Sequence, residues 1–154
     1  MPNRTQAHNS STLNMIDPQA LTANNTTVAG AAIDLQGFDS ATIYAQMGVW
    51  GDTIAGGLTE FGLQESDSSG SGFTDVANAD LTDTIAAAST VTGAATTGVY
   101  ANVSSTSNDQ KVVVTGYKGK KRYIRAKFNV EKNQATGIPV SVLCVRGRPS
   151  YLPQ

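Results

Sequence analysis

The chain has 154 residues, of which 40% are hydrophobic and 15% charged, enough for one domain that buries roughly 68 to 70% of its extended surface without a metal or disulfide staple. Its single cysteine, Cys144, excludes an internal disulfide, and its longest apolar run, about six residues, falls far short of the roughly 20 that cross a bilayer. The N-terminus offers neither a charged n-region nor an apolar h-region, so no membrane span and no secretion leader are expected.

The net charge of −1 conceals a segregation. Residues 1–110 hold one basic residue, Arg4, against eleven acids, a balance of −10, whereas residues 111–154 hold ten basic residues against Glu131, a balance of +9. Three arrangements would use this: nucleic acid bound at the basic end, the two ends neutralising each other within one fold, or subunits pairing acidic with basic surface.

Residues 1–25 are rich in Asn, Ser and Thr without a sustained period, which predicts an extended N-terminal arm with little structure of its own, ahead of a single β domain over 26–154. Leu13, Met15, Ile16 and Leu21 are apolar anchors that a solvated tail does not need. The arm is therefore expected to lie against its own domain or a neighbour, with Leu13, Met15 and Ile16 as partner-binding residues.

Residues 28–36 and 40–47 read as two strands joined by a turn at Gly37, Phe38 and Asp39, the second alternating Ala41, Ile43, Ala45 and Met47 inward. A glycine-rich loop around Trp50 follows, with the indole as a core plug or a contact anchor. Residues 58–65 give another strand, 66–72 a flexible Ser/Gly turn, and 73–76 a short strand. Asp67, Ser69 and Ser71 sit at calcium-loop offsets, but the remaining acids of such a loop are missing. Residues 82–110, small and nearly uncharged, read as a long Ala/Thr/Ser-rich connection with a short strand at 99–103. Self-association is expected through residues 91–107, where small side chains permit close approach.

Residues 112–148 form three β-rich runs separated by turn signals at 118–120 and 133–137, expected as a three-strand antiparallel meander. In the middle run Ile124, Ala126, Phe128 and Val130 alternate with Tyr123, Arg125, Lys127 and Asn129, which places one face in a core and positive charge on the other. The run 140–145 is apolar at nearly every position, as in a strand covered on both sides; Cys144 within it is expected as a small buried hydrophobe. The sum is an all-β, single-domain β-sandwich or jelly-roll-like barrel of about seven or eight strands.

Catalytic chemistry has little to stand on. The one histidine, His8, lies in the arm, where nothing holds a general base in place, and the spacing motifs for zinc, redox, phosphate-loop and dinucleotide sites are absent. The reading is no enzyme, no cofactor and no metal. Lys118, Lys120, Lys121, Arg122, Arg125 and Lys127, interleaved with Tyr117 and Tyr123, could track a nucleic-acid backbone. A solvated or salt-bridging face is the preferred reading, because the rest of the chain is acidic.

The stretches AAIDLQGFDSATIYAQMG and VTGYKGKKRYIRAKF and the ending PVSVLCVRGRPSYLP resemble small head decoration, or cement, proteins of tailed double-stranded DNA phages. The shared features are Asp34, Gly37, Phe38, Ser40, Ala41 and Thr42 in the first, Gly116, Tyr117, Gly119, Lys121, Arg122 and Tyr123 in the second, and Pro149 and Pro153 in the tail. They span about two thirds of the chain. The resemblance implies a structural virion protein on the capsid exterior that binds the major capsid protein and itself, a trimer being slightly preferred over a dimer. Another virion component, such as a head-completion or tail protein, is the next reading, and a nucleic-acid-binding β-barrel module follows it. The six basic residues of the hairpin are then the expected contacts with acidic protein surface.

Overall fold

The computed structural model describes residues 10–22, 26–50, 59–82, 85–86, 97–103, 110–130 and 136–149. Period-2 alternation organises them into eleven strands: β1 (Ser10–Leu21), β2 (Thr26–Ala29), β3 (Ile33–Asp34), β4 (Phe38–Met47), β5 (Thr59–Ser66), β6 (Thr74–Asp75), β7 (Ile85–Ala86), β8 (Val99–Val103), β9 (Val112–Tyr117), β10 (Tyr123–Val130) and β11 (Ile138–Pro149). One short 3-10 turn, Asn78–Asp80, is the only helical element among the described residues. The first sheet runs β1-β11-β4-β9-β7. In the second, β10 is central, with β2 and β3 on one side and β5, carrying β6 and β8, on the other. Every pairing is antiparallel.

The core lies between the sheets. Ile43, Val113, Val142 and Cys144 of the first sheet and Phe61, Leu63, Ile124, Phe128 and Val130 of the second are fully buried in one cluster. Phe61 meets Phe128 edge-on with ring centroids 4.6 Å apart and tilts against Tyr100 at 6.4 Å. Each such side chain contributes about 1.5–3 kcal/mol. The alternation expected along β10 is present in full, with Ile124, Ala126, Phe128 and Val130 inward.

The pairing differs from expectation in three places. The runs over 112–148 form strands, but they are not a meander: β9 and β11 flank β4 in the first sheet, while β10 pairs with β5 in the second. Short connections can bridge two packed sheets as readily as they close a hairpin, and β10 finds along β5 an unbroken eight-residue register, Tyr123↔Ser66 to Val130↔Thr59. Similarly, β3 and β4 belong to different sheets. The turn between them, closed by Phe38 N–H donating to the Leu35 carbonyl at 3.0 Å with Gly37 at φ 85°, carries the chain across the sandwich. The run 140–145 is fully covered on one side only: Val140, Val142 and Cys144 face the core, while Leu143 and Val145 are half-buried on the outer face.

The arm is a further correction. Residues 10–21 are an edge strand, in register with β11 from Ser10↔Gly147 to Leu21↔Ile138. A bulge between Asn14 and Ile16 turns two consecutive side chains inward, which a plain strand cannot do. Met15, Ile16 and Leu21 are 2%, 3% and 6% exposed, and Leu13 packs partly buried against the same core. The Met15 carbonyl, freed from the ladder at the bulge, accepts from Ala31 N–H at 2.7 Å, and Gly30 beside it has no Cβ to collide with that oxygen. These anchors thus close the protein's own core and are not free for a partner.

The connection 82–110 also contributes core. Its expected strand forms as β8, with Val99, Tyr100, Ala101 and Val103 buried. Gly98 begins it at φ 76°, accepting from Leu63 N–H at 2.7 Å; a Cβ there would stand 2.9 Å from the Leu63 carbonyl oxygen. The described part of the expected self-association segment 91–107 is therefore mostly interior, with Thr97 exposed and Asn102 half-buried, and its remainder lies outside the described residues, as do His8 and Pro153.

Cys144 is fully buried, and burial pushes its thiol up to about 11. Its raised value means the contribution to stability is complete below the ordinary thiol value of 9.0 and is lost as pH rises from there through about 11. At pH 8 the native protein is expected to resist a thiol-specific reagent until it unfolds. Rapid stoichiometric modification of folded protein would contradict this placement.

Candidate functional site

The six basic residues of the expected hairpin lie on β10 and on the loop that leads into it from β9. That loop is held from below by Tyr117, 7% exposed, whose hydroxyl donates to Glu65 Oε2 at 2.6 Å and accepts from Lys121 N–H at 3.0 Å. Burial and the bond to Glu65 push the phenol well above its ordinary value, so it remains a donor at any physiological pH. The Tyr117 ring occupies the space a side chain at 119 would need, which is why the loop carries Gly119.

Four of the six cations are committed to groups in the acidic part of the chain. Lys121 Nζ lies 2.5 Å from Asp67, and Lys127 Nζ lies 2.9 Å from Asp75. Arg122 grips Asp34 with two bonds, Nε to Oδ1 at 3.0 Å and Nη2 to Oδ2 at 2.8 Å, the geometry in which a guanidinium matches a carboxylate. Arg125 donates to Gln64 at 2.9 Å and lies over the Phe73 ring at 4.1 Å. The segregated charges therefore meet within one fold. The hydrogen bond from Arg122 holds the Asp34 carboxyl below its ordinary value, opposed by desolvation and helped by Gln36 N–H and by Arg146. The stability this carboxylate confers is present above its unfolded value of 3.8 and is lost as pH falls below it.

Asp34, named above only as a strand residue of the resemblance, is also the node that joins these groups. Arg146 Nη1 donates to its carbonyl oxygen at 2.6 Å, Nη2 donates to Ser11 Oγ at 2.9 Å, and the guanidinium lies 4.3 Å over the Phe38 ring. Asp34 and Phe38, the basic loop through Arg122, and Arg146 of β11 are thus brought to one end of the sandwich. A cleft of about 410 Å³ opens there between the sheet-crossing turn and the basic loop, with Leu35, Phe38 and Tyr117 in its walls and Lys118 and Lys120 exposed at its rim. Among the described residues no three His, Cys, Asp or Glu side chains are grouped to hold a metal ion.

No family model matches the chain, and no curated protein matches it. Among solved structures it is similar to the SPBc2 prophage-derived protein YomS, with 13% identity, 89% of this chain and 91% of that one covered, and a TM-score of 0.41. It is also similar to a chain of infectious bursal disease virus strain Gx, with 13% identity, 89% and 39% covered, and a TM-score of 0.24. At those scores neither likeness carries an argument about function; what defines the molecule is an antiparallel β-sandwich with one end clamped by Tyr117, Asp34, Arg122 and Arg146.

Proposed function

We propose that this protein is a structural virion component that binds the outer surface of a phage capsid and stabilises it as a decoration or cement protein, with no catalytic role and no cofactor. The observation that carries this reading is the convergence of the resembling stretches on one end of the sandwich. There the clamp beneath the loop fixes its backbone before any partner arrives, which lowers the entropy lost on docking. Lys118 and Lys120 are exposed on that loop at the rim of the cleft and suit acidic shell surface. The four internally committed cations leave little of the continuous basic track that a nucleic-acid backbone needs.

Reversing both rim charges, Lys118→Glu with Lys120→Glu, keeps every pair described above and is expected to weaken retention on heads of the encoding phage about tenfold, the equivalent of roughly 1.4 kcal/mol. Co-sedimentation with the heads at low and high salt reads this out, alongside retention on free DNA. Wild-type protein that ignores the heads would overturn the function, and undiminished occupancy of the double variant would overturn the docking end. Tight DNA binding that falls steeply with salt would move the protein to the nucleic-acid reading.

A further inference from the structure

The cleft between the sheet-crossing turn and the basic loop has two unlike walls. On the turn side Leu35 and Phe38 are apolar and half-buried, with the Arg146 guanidinium over the Phe38 ring at 4.3 Å. On the loop side Lys118 and Lys120 are exposed, and neither is joined by an ion pair to a described residue. Between them, the N–H groups of Gly119 and Lys120 donate to no described residue. Lys121 and Arg122 are paired off with Asp67 and Asp34, and Asp39 is the one other carboxylate at the mouth, which therefore keeps a net positive charge. The bonds of Tyr117 to Glu65 and to Lys121 N–H hold the loop in this form before anything enters.

We propose that the cleft takes one extended segment of another protein, in which two carboxylates flank an apolar or aromatic residue. Successive side chains of an extended chain point to opposite sides. A segment lying between the walls thus turns both acids toward Lys118 and Lys120, and the residue between them toward Leu35 and Phe38. Residues two apart in such a chain lie roughly 6.6–7.2 Å from each other, which fits the acids to two lysines that are themselves two apart on their loop. The unspent N–H groups of Gly119 and Lys120 suit the carbonyls of a peptide backbone, as when a strand is added to an open edge. A second copy is a poor occupant, because it brings the same lysines to the mouth. These 154 residues also contain no acid–apolar–acid triplet, Glu65 and Asp67 with Ser66 between them being the only acids two apart. A nucleic-acid strand finds just two uncommitted cations on the loop, too short a track for its backbone.

This rests on the docking end proposed above and names what the partner presents there, but its test needs no capsid. The probe is a short blocked peptide with two carboxylates flanking a phenylalanine, titrated to about 1 mM into the isotope-labelled full chain, a range that reaches weak affinities. Saturable shifts are expected in the amide resonances of the turn at 35–40 and the loop at 118–122. Replacing both acids of the peptide by their amides, or its phenylalanine by glycine, is expected to weaken binding at least tenfold. Lys118→Ala with Lys120→Ala should do the same. So should Gln36→Trp, which narrows the mouth from an exposed turn position whose bond to Asp34 is made by its backbone, while the thermal transition stays where it was. No binding by about 1 mM, shifts elsewhere on the molecule, or an amide peptide that binds as well would each overturn the proposal. A short oligonucleotide that displaces the peptide from the same resonances at lower concentration would overturn it too. Heads coated without peptide binding sink this inference alone, and a peptide bound by protein that ignores heads sinks only the capsid reading.

Discussion

A chain that begins at Thr22 is expected not to fold. It lacks β1, and with it Met15, Ile16 and Leu21, three nearly fully buried apolar side chains worth roughly 5–9 kcal/mol together at about 1.5–3 kcal/mol each. Single domains have only about 5–15 kcal/mol to lose. The truncation also strips the ladder from one side of β11, the second strand of its sheet, and so exposes an apolar edge suited to intermolecular pairing. Far-UV circular dichroism and size-exclusion chromatography of the truncated protein should show lost cooperativity and aggregation. The double substitution Met15→Ala with Ile16→Ala should lie between truncated and intact chains. A truncated chain with an undiminished, cooperative melt would contradict the placement of β1 and restore the arm as a detachable element.

Phe61→Ala is expected to be the most damaging single change, at about 3–5 kcal/mol, the range for removing a buried aromatic ring. Phe61 sits on β5 opposite Phe128 in the register, contacts it edge-on, and touches Tyr100 of β8 on the other side. It thus ties three strands of the second sheet to the core, and the cavity it leaves cannot be closed by one neighbour moving. For a domain of this size each kcal/mol corresponds to roughly 2–4 °C, so the midpoint should fall by about 6–20 °C in a thermal melt. Phe61→Leu, which keeps most of the volume, should recover much of the loss. A fall of less than about 1 kcal/mol for the alanine variant would mean that the ring is not at the centre of the core.

The basic loop shows how far local chemistry reads through to structure. Its turn residues, its alternation and its cations were all legible, because a strand's inward and outward faces follow from period 2 alone. Which groups the cations would meet was not. Asp34 lies 88 residues before Arg122, and Asp67 lies 54 residues before Lys121, so these pairs exist only because the pairing of β3 and of β5 with β10 brings those segments together. The same reason hid Arg146, which looked like one more positive charge near the C-terminus and is in fact a strut over Phe38.

By itself the sequence determined the all-β class, the inward residues of β4 and β10, the strand at 99–103 and the burial of Cys144. These depend on side-chain periodicity, β-branching and the position of glycine within a few residues of each site. Only the tertiary structure decided which strand pairs with which, that β9, β10 and β11 divide between two sheets, and that residues 10–21 close the core as an edge strand. Those outcomes are set by competition among registers of similar local quality, and the winner is the arrangement that covers both inner faces at once, a condition that no single stretch of the chain contains.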